Sequence, residues 1–438
     1  MSLETPNFTS EDTHLTNDDS VRFGRLLKWM KDNGATIDDI EIRTWPHSYE
    51  RGVFARREIS NGLFAVIPRT ISFNTLNALA SASAPLKEFL LDIKATLGTD
   101  EEGNDRGALG MFLVYEKLVT KDKSFWFPYI DALPRSGIRY SSLLWSTQRE
   151  LERWKIDRLV GGALKQSWGV IARMVEKAKA RPDLFPFSAA VIEEEVKWAY
   201  YMVKSRAWSR EPLEMIPFGD IMNHQVNSPV TLVANDTHNT FVMLGHSPIP
   251  AGAEVFDTYQ KLPTPTLYTV SWGFIPGPEE CFIPIEQPVN QFSTNKRRLL
   301  AKLGCLVGKD YMSLSQNCAL KEFSNTTLNC LKAFEMEESQ VKNATEWYRI
   351  LKSKPNQGVL IEVSPQAEIK ALEHVITTLT PLKSPLSKIE EALMMESGTD
   401  VVEKLAFRLR DSITKCLEQV IWLCKQHVKF LRDKIEAA

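Results

Sequence analysis

Apolar and polar positions alternate with two different periods along this chain, and the change of period marks its parts. Residues 20–34 carry apolar side chains at three- and four-residue steps, which predicts an amphipathic helix with Ser20 as its N-cap and Gly34 as its stop. Residues 37–45 read as a short strand. Residues 51–75 alternate apolar and polar positions between Gly52 and Gly62, the pattern of a hairpin. From 76 to 210 the period becomes helical, with clear stretches at 108–119, 145–185 and 189–208. Five tryptophans in this part, Trp126, Trp145, Trp154, Trp168 and Trp198, are read as core rather than surface. Residues 216–276 return to a β-rich pattern. The remainder, 290–438, is read as helical throughout, in stretches at 290–304, 336–353, 364–395 and 398–438. The fold class expected is α+β: a β domain interrupted by a helical insertion and followed by an all-helical C-terminal domain.

The expected boundaries are an acidic tail at 1–20, a first β part at 21–75, the insertion at 76–210, a second β part at 211–289 and the helical domain at 290–438. The tail holds five acidic residues and no Lys or Arg, which predicts a solvated, disordered segment. Elsewhere, composition excludes more than it identifies. A net charge of -2 gives no nucleic-acid footprint. No apolar run reaches membrane-spanning length, and the first residues lack the basic-then-apolar order of a secretory leader. The six cysteines form no close pair, so neither a zinc knuckle nor a thioredoxin-like motif is indicated, and reduced thiols of a cytoplasmic or nuclear protein are expected.

Three pieces of the 216–276 stretch have chemical content. Asp220-Ile221-Met222-Asn223-His224 follows an apolar approach. Tyr259 ends the run Val255-Phe256-Asp257-Thr258-Tyr259. Ser271-Trp272-Gly273-Phe274 closes an aromatic and β-branched segment. An Asn amide both donates and accepts. His224 has no second ligand at metal spacing, so no metal site is expected. A glycine such as Gly52 allows a backbone to approach a ligand closely.

In this order the segments resemble the SET-domain protein methyltransferases, in the branch similar to the Rubisco large-subunit methyltransferase. Arg51-Gly52-Val53-Phe54-Ala55, Phe125-Trp126-Phe127-Pro128-Tyr129-Ile130 and Ser205-Arg206-Ala207 fit the same branch, so the resemblance spans residues 45–276. It implies S-adenosyl-L-methionine as cofactor and a knot-like crossing of the Asn-His and Tyr segments. It puts Glu50, Arg51, Gly52, Ser205, Arg206, Asp220, Ile221, Asn223, His224, Tyr259 and Phe274 at the cofactor. Within that set, the Arg51-Gly52 backbone lies against the cofactor, Arg206 meets its carboxylate and the His224 side chain pins the crossing. It makes Tyr259 the catalytic residue and lines a substrate channel with Trp208, Phe256 and Trp272. It also makes the C-terminal domain a platform for substrate.

The function implied is lysine N-methylation of a non-histone protein, with a protein presenting a lysine as partner and no nucleic acid or membrane. The amine must lose its proton to attack, and at a reference pKa of about 10.4 only about one lysine in a thousand is neutral at pH 7.4. An apolar channel beside a sulfonium cation lowers that pKa. Three positions depart from the branch: Glu50 and Gln260 stand where Gly is usual, and Trp272 where Tyr is usual. They keep two alternatives open, a catalytically silent SET-fold binding module and a methyltransferase for histidine or a small molecule.

Overall fold

The structure is a computed structural model. It describes residues 17–44, 51–97, 101–138, 140–208, 212–259, 264–275, 282–288, 293–302, 306–307, 311–317, 329–330, 332–333, 364–396 and 398–437. Residues 1–16 of the expected acidic tail, Glu50, Gln260 and the helix expected at 336–353 lie outside them. The chain divides into two compact units: residues 1–138 with 163–261, and residues 139–162 with 262–438. Segments 139–162 and 262–289, expected with the insertion and the second β part, thus cluster with the C-terminal region.

The first unit opens with a helix, Asn17–Asp32. Ser20 therefore lies in its first turn rather than at its cap, while Gly34 follows its end at φ 89 as the expected stop. Nine strands follow: β1 (Ile40–Thr44), β2 (Arg51–Ala55), β3 (Gly62–Pro68), β4 (Phe73–Asn74), β5 (Glu214–Met215), β6 (Asn223–His224), β7 (Val230–Asn235), β8 (Thr240–Gly245) and β9 (Glu254–Asp257). They form small sheets in the orders β1-β2-β9-β6, β3-β8-β7 and β4-β5. The hairpin expected between Gly52 and Gly62 does not form. β2 pairs with β1 and β9, while β3 pairs with β8. Local alternation marks both strands correctly but carries no information about partners more than 170 residues away in sequence.

Between β4 and β5 the expected helical insertion is present, as Thr75–Ser81, Ala84–Thr96, Glu101–Tyr115, Phe127–Ala132, Gln148–Arg153, Asp157–Lys179 and Ala189–Arg206. Phe127–Ala132 matters most for the site. Its Tyr129 belongs to an aromatic cluster in which Phe73 stacks on Phe112 at 5.3 Å and meets the Trp126 edge at 5.6 Å. Trp126, Trp154 and Trp198 are buried as expected, whereas Trp145 and Trp168 are half-buried. The orphan carbonyls at the end of this helix receive guanidiniums. Arg22 Nε donates to the Asp131 carbonyl at 2.6 Å and Arg22 Nη2 to that of Leu133 at 2.7 Å, while Arg51 donates to that of Ala132.

In the second unit the long helix Val401–Glu436 presents a buried apolar stripe to its neighbours. Its fully buried Arg410 donates to the Trp154 carbonyl at 2.8 Å and pairs with Glu390 at 2.5 Å. Glu368, on the helix Pro365–Leu379, meets His427 at 2.8 Å and Lys332 at 3.1 Å. This unit is not helical throughout. β10 (Phe282–Pro288), β11 (Leu306–Val307) and β12 (Tyr311–Asn317) form an antiparallel sheet in the order β10-β12-β11. The Met312-Ser313-Leu314-Ser315 alternation inside β12 is a strand pattern. Cys416 and Cys424 are free and buried as expected, but Cys330 is in a disulfide. No helix among the described residues is long and apolar enough to cross a membrane.

Glu214, fully buried in β5, gathers Arg69 at 2.6 Å, the Ser72 hydroxyl at 2.8 Å and the Asn74 amide at 3.4 Å. Glu214→Ala removes this shared acceptor, leaving Arg69 to Asp236, Ser72 to the Arg69 carbonyl and Asn74 to the Ser72 hydroxyl, and is expected to cost about 1–3 kcal/mol. Urea unfolding of the full chain checks this: the midpoint should fall with an unchanged slope, and an unshifted midpoint would remove the network from the stability of the fold.

Candidate functional site

The expected site segments meet where β6 lies beside β9. The pairing is parallel and only two residues long, Asn223 with Phe256 and His224 with Asp257. So short a ladder needs side chains to hold it. The Asn223 amide nitrogen donates to the Arg51 carbonyl at 3.0 Å and to a Glu254 carboxylate oxygen at 2.7 Å. Both partners are acceptors only, which fixes the amide orientation. The two donors of Asn223 are therefore spent on the protein, and what it offers a ligand is its oxygen.

Tyr259, the first residue but one after β9, closes the same junction twice. Its backbone N–H donates to His224 Nδ1 at 3.1 Å, and its hydroxyl donates to the Met222 carbonyl at 2.7 Å. The His224 ring lies 5.2 Å from the Tyr259 ring. An Nδ1 that accepts a hydrogen bond belongs to a neutral imidazole with its proton on Nε2. His224 thus pins two segments together through its side chain. Burial pushes the Tyr259 pKa up, against a smaller opposing pull from Arg206. The phenol stays protonated at neutral pH, with its hydrogen aimed at the Met222 carbonyl.

The approach to β6 is strained. Phe218 sits at φ 74 and ψ -48, a region costly for a bulky residue, and its fully buried ring holds it there. The turn Gly219–Ile221 that follows places Asp220 and Ile221 in the interior. Gly219 is tightly surrounded: a Cβ would lie 3.3 Å from the Trp208 ring and 3.4 Å from Met243. Trp208 is half-buried and bonded through its backbone to Glu214 at 2.8 Å. Phe256 is half-buried and shares one face of β9 with Glu254.

Asp220 is the centre of a buried charge cluster. Its Oδ2 accepts from the Tyr129 hydroxyl at 2.5 Å, and its carbonyl accepts from Arg206 at 2.7 Å. Burial raises the Asp220 pKa, opposed by Arg206, Tyr129 and Arg51. Tyr129 is pushed well above its ordinary value by burial and by the Asp220 charge. Arg51 is lowered to about 9, first by burial and then by Arg206. Arg206 ends the helix Ala189–Arg206, and its neighbour Ser205 turns its hydroxyl back to the Tyr201 carbonyl at 2.8 Å. Arg51 and Gly52 are buried at the start of β2.

Arg51, Gly52, Ser205, Arg206, Trp208, Asp220, Ile221, Asn223, His224, Phe256 and Tyr259 all belong to the first unit. Trp272 and Phe274 belong to the second. There both pack on the fully buried Tyr268, with ring centres 4.8 and 5.1 Å from it, and the intervening Gly273 turns at φ 80. The sequence reading missed two contributors. Tyr129 holds Asp220, and Glu254 holds Asn223. Tyr129 lay inside a motif that was noticed but was not itself singled out.

No family model matches the chain. Solved structures of Rubisco LSMT bound to AdoMet, and of the LSMT SET domain bound to lysine and AdoHcy, superpose with a TM-score of 0.65 at 16% identity. These matches cover 94% of this chain and 92–93% of those chains. The likeness establishes the fold: this chain folds as a SET domain of the Rubisco LSMT kind, as its motifs suggested. Among curated relatives, an Arabidopsis thaliana [fructose-bisphosphate aldolase]-lysine N-methyltransferase is 28% identical over 203 residues, 45% of this chain and 38% of that protein. Actin-histidine N-methyltransferases are 24% identical over 217 residues in Xenopus tropicalis and 23% over 252 in Homo sapiens. The matches take in 46% and 54% of this chain and 34% and 40% of those proteins, so the chain spans well under half the length of these relatives.

Replacing Asn223 tests the junction without any ligand. Asn223→Ala removes the amide bonds to the Arg51 carbonyl and to Glu254, at about 1–3 kcal/mol. Asn223→Asp sets a carboxylate against two acceptors and is expected to cost more at pH 7. Thermal unfolding of both variants checks the order, and equal stabilities would show that the amide does not carry the junction.

Proposed function

We propose that this chain is an S-adenosylmethionine-dependent protein methyltransferase that acts on a lysine of a non-histone protein. The observation that carries the reading is the junction itself. A protonated Tyr259, its hydrogen committed to the Met222 carbonyl, stands beside Asn223, His224 and the Asp220–Arg206 cluster. The SET fold and relatives named as methyltransferases for protein lysine and histidine support it.

The residues present fit such a cofactor. Arg206 has a buried Nε with no hydrogen-bond partner, a donor suited to a carboxylate. Gly52, buried in β2, brings main chain to the junction without a side chain, and the Asn223 oxygen is an acceptor for an amino or amide group. When bound, the cofactor supplies an electrophilic methyl on a sulfonium. A neutral lysine amine held in line would take that methyl, the sulfur keeping the pair of the broken S–CH₃ bond. The methylated amine then releases its proton to solvent.

This chain's part is positioning. The Tyr259 oxygen presents lone pairs to a methyl that gains positive charge in the transition state, a preorganised electrostatic contribution. Burial favours the protonated phenol, so its part is electrostatic. Trp208 and Phe256 are half-buried aromatics of this unit suited to an apolar channel that keeps the amine unprotonated. The C-terminal unit is assigned to protein-substrate binding.

Incubation with methyl-labelled S-adenosylmethionine and a proteome extract, followed by mass spectrometric mapping, tests the reading. Label on lysine supports it. Label on histidine supports the second reading that the actin-histidine relatives suggest, and no transfer supports a silent binding module. With a mapped substrate, Tyr259→Phe is expected to keep cofactor affinity and to lose turnover roughly a hundredfold, or about 3 kcal/mol. Wild-type turnover in that variant would remove Tyr259 from the chemistry.

A further inference from the structure

Among the described residues of the first unit, the buried carboxylates are Glu116, Glu195, Glu214, Asp220 and Asp257. The first four have side-chain donors. Thr120 serves Glu116 at 3.1 Å, Lys117 serves Glu195 at 2.6 Å, Arg69 serves Glu214 at 2.6 Å and Tyr129 serves Asp220 at 2.5 Å. Asp257, 8% exposed, differs. Its carboxylate meets the Thr258 backbone N–H but no side-chain donor or cation of the described residues. A buried charge is costly without a partner, so the fold keeps this side chain at a cost.

The register gives its direction. Side chains paired across a parallel ladder share a face, and neighbours along a strand alternate. Asn223 pairs with Phe256 and its amide reaches Glu254, so these three lie on one face. His224 pairs with Asp257, and its ring lies 5.2 Å from that of Tyr259, so His224, Asp257 and Tyr259 share the other. Thr258 turns away between them, with its hydroxyl on the Gln225 carbonyl at 2.9 Å. Asp257, rather than Phe256, is therefore the β9 side chain on the face of Tyr259, where the reading above puts the methyl and its acceptor.

We infer that Asp257 receives the acceptor lysine: its carboxylate pairs with the substrate ammonium and takes its proton before methyl transfer. This rests on the methyltransferase reading above and adds a proton acceptor to it. An N–H bond of the ammonium breaks, an O–H bond forms on Asp257, and the nitrogen lone pair is freed for the methyl. Asp257 returns the proton to solvent as the methylated product leaves. Burial raises the Asp257 pKa and so makes its carboxylate a better base, while a positive charge nearby makes the ammonium a better acid. The substrate is an amine that brings in the cation Asp257 lacks.

Calorimetric titration of wild type, Asp257→Asn and Asp257→Val tests this without a known substrate. The probes are two analogues of S-adenosylhomocysteine with nitrogen in place of sulfur, one carrying a 2-aminoethyl arm and the other a propyl arm of the same length. Wild type is expected to prefer the amino arm on the order of ten- to a hundredfold. Both variants should bind the two arms within about twofold of each other and bind S-adenosylhomocysteine as wild type does. Each variant removes an unpaired buried carboxylate, so neither should melt below wild type. With a mapped substrate, Asp257→Asn should lower kcat about a hundredfold, the loss of a proton acceptor. A preference for the amino arm that survives in both variants, or is missing from wild type, would overturn the inference. So would an Asp257→Asn variant with wild-type kcat. A loss in Asp257→Asn for S-adenosylmethionine but not S-adenosylhomocysteine would assign the carboxylate to the sulfonium and equally overturn it. Wild type that does not bind S-adenosylhomocysteine would overturn the cofactor reading itself, an outcome distinct from the others.

Discussion

Everything at the candidate site depends on the two-residue parallel pairing of Asn223–His224 with Phe256–Asp257. Such a ladder is too short to hold itself, because its few backbone bonds must offset the ordering of two chain segments. The sequence supplies the difference through side chains. Asn223 reaches the Arg51 carbonyl and Glu254, His224 takes the Tyr259 N–H, and Tyr259 takes the Met222 carbonyl. The bond to Arg51 ties β6 to β2, and the other three tie the 222–224 segment to the 254–259 segment. The junction is both the structural lock and the place where the chemistry is assigned.

The elements around it are arranged to keep it rigid. The aromatic cluster of Phe73, Phe112 and Trp126 seats Tyr129, and Tyr129 fixes the Asp220 carboxylate. The helix Ala189–Arg206 delivers Arg206 to the Asp220 carbonyl. Strain at Phe218 and close packing around Gly219 leave the turn little freedom. The proposed methyl transfer, with no protein nucleophile, would gain its rate from such fixed geometry, since donor and acceptor react only when aligned and close.

Periodicity in the sequence made the secondary structure legible, and ordered motifs made the fold legible. Helical period over 76–210 marked the insertion, and the Asp220–His224 and Tyr259 segments carried the resemblance to the SET architecture without any pairing information. What failed was non-local. The alternation after Gly52 could not show that β2 and β3 join different sheets. The β12 strand was masked by the helices around it, and the Cys330 disulfide had no spacing to announce it. At the site, residue types indicated Asn223 and His224 but not which atoms they would spend on the protein. The uses of Tyr129 and Glu254 depend on partners 91 and 31 residues away, which no local pattern encodes.

The central claim is that the junction of β2, β6 and β9 is where S-adenosylmethionine binds. Amide hydrogen exchange of the full chain, with and without saturating S-adenosylhomocysteine, tests this most directly. The account predicts slowed exchange concentrated at residues 51–54, 206–208, 219–224 and 255–259. Unchanged exchange there, or protection confined to residues 365–436, would contradict it.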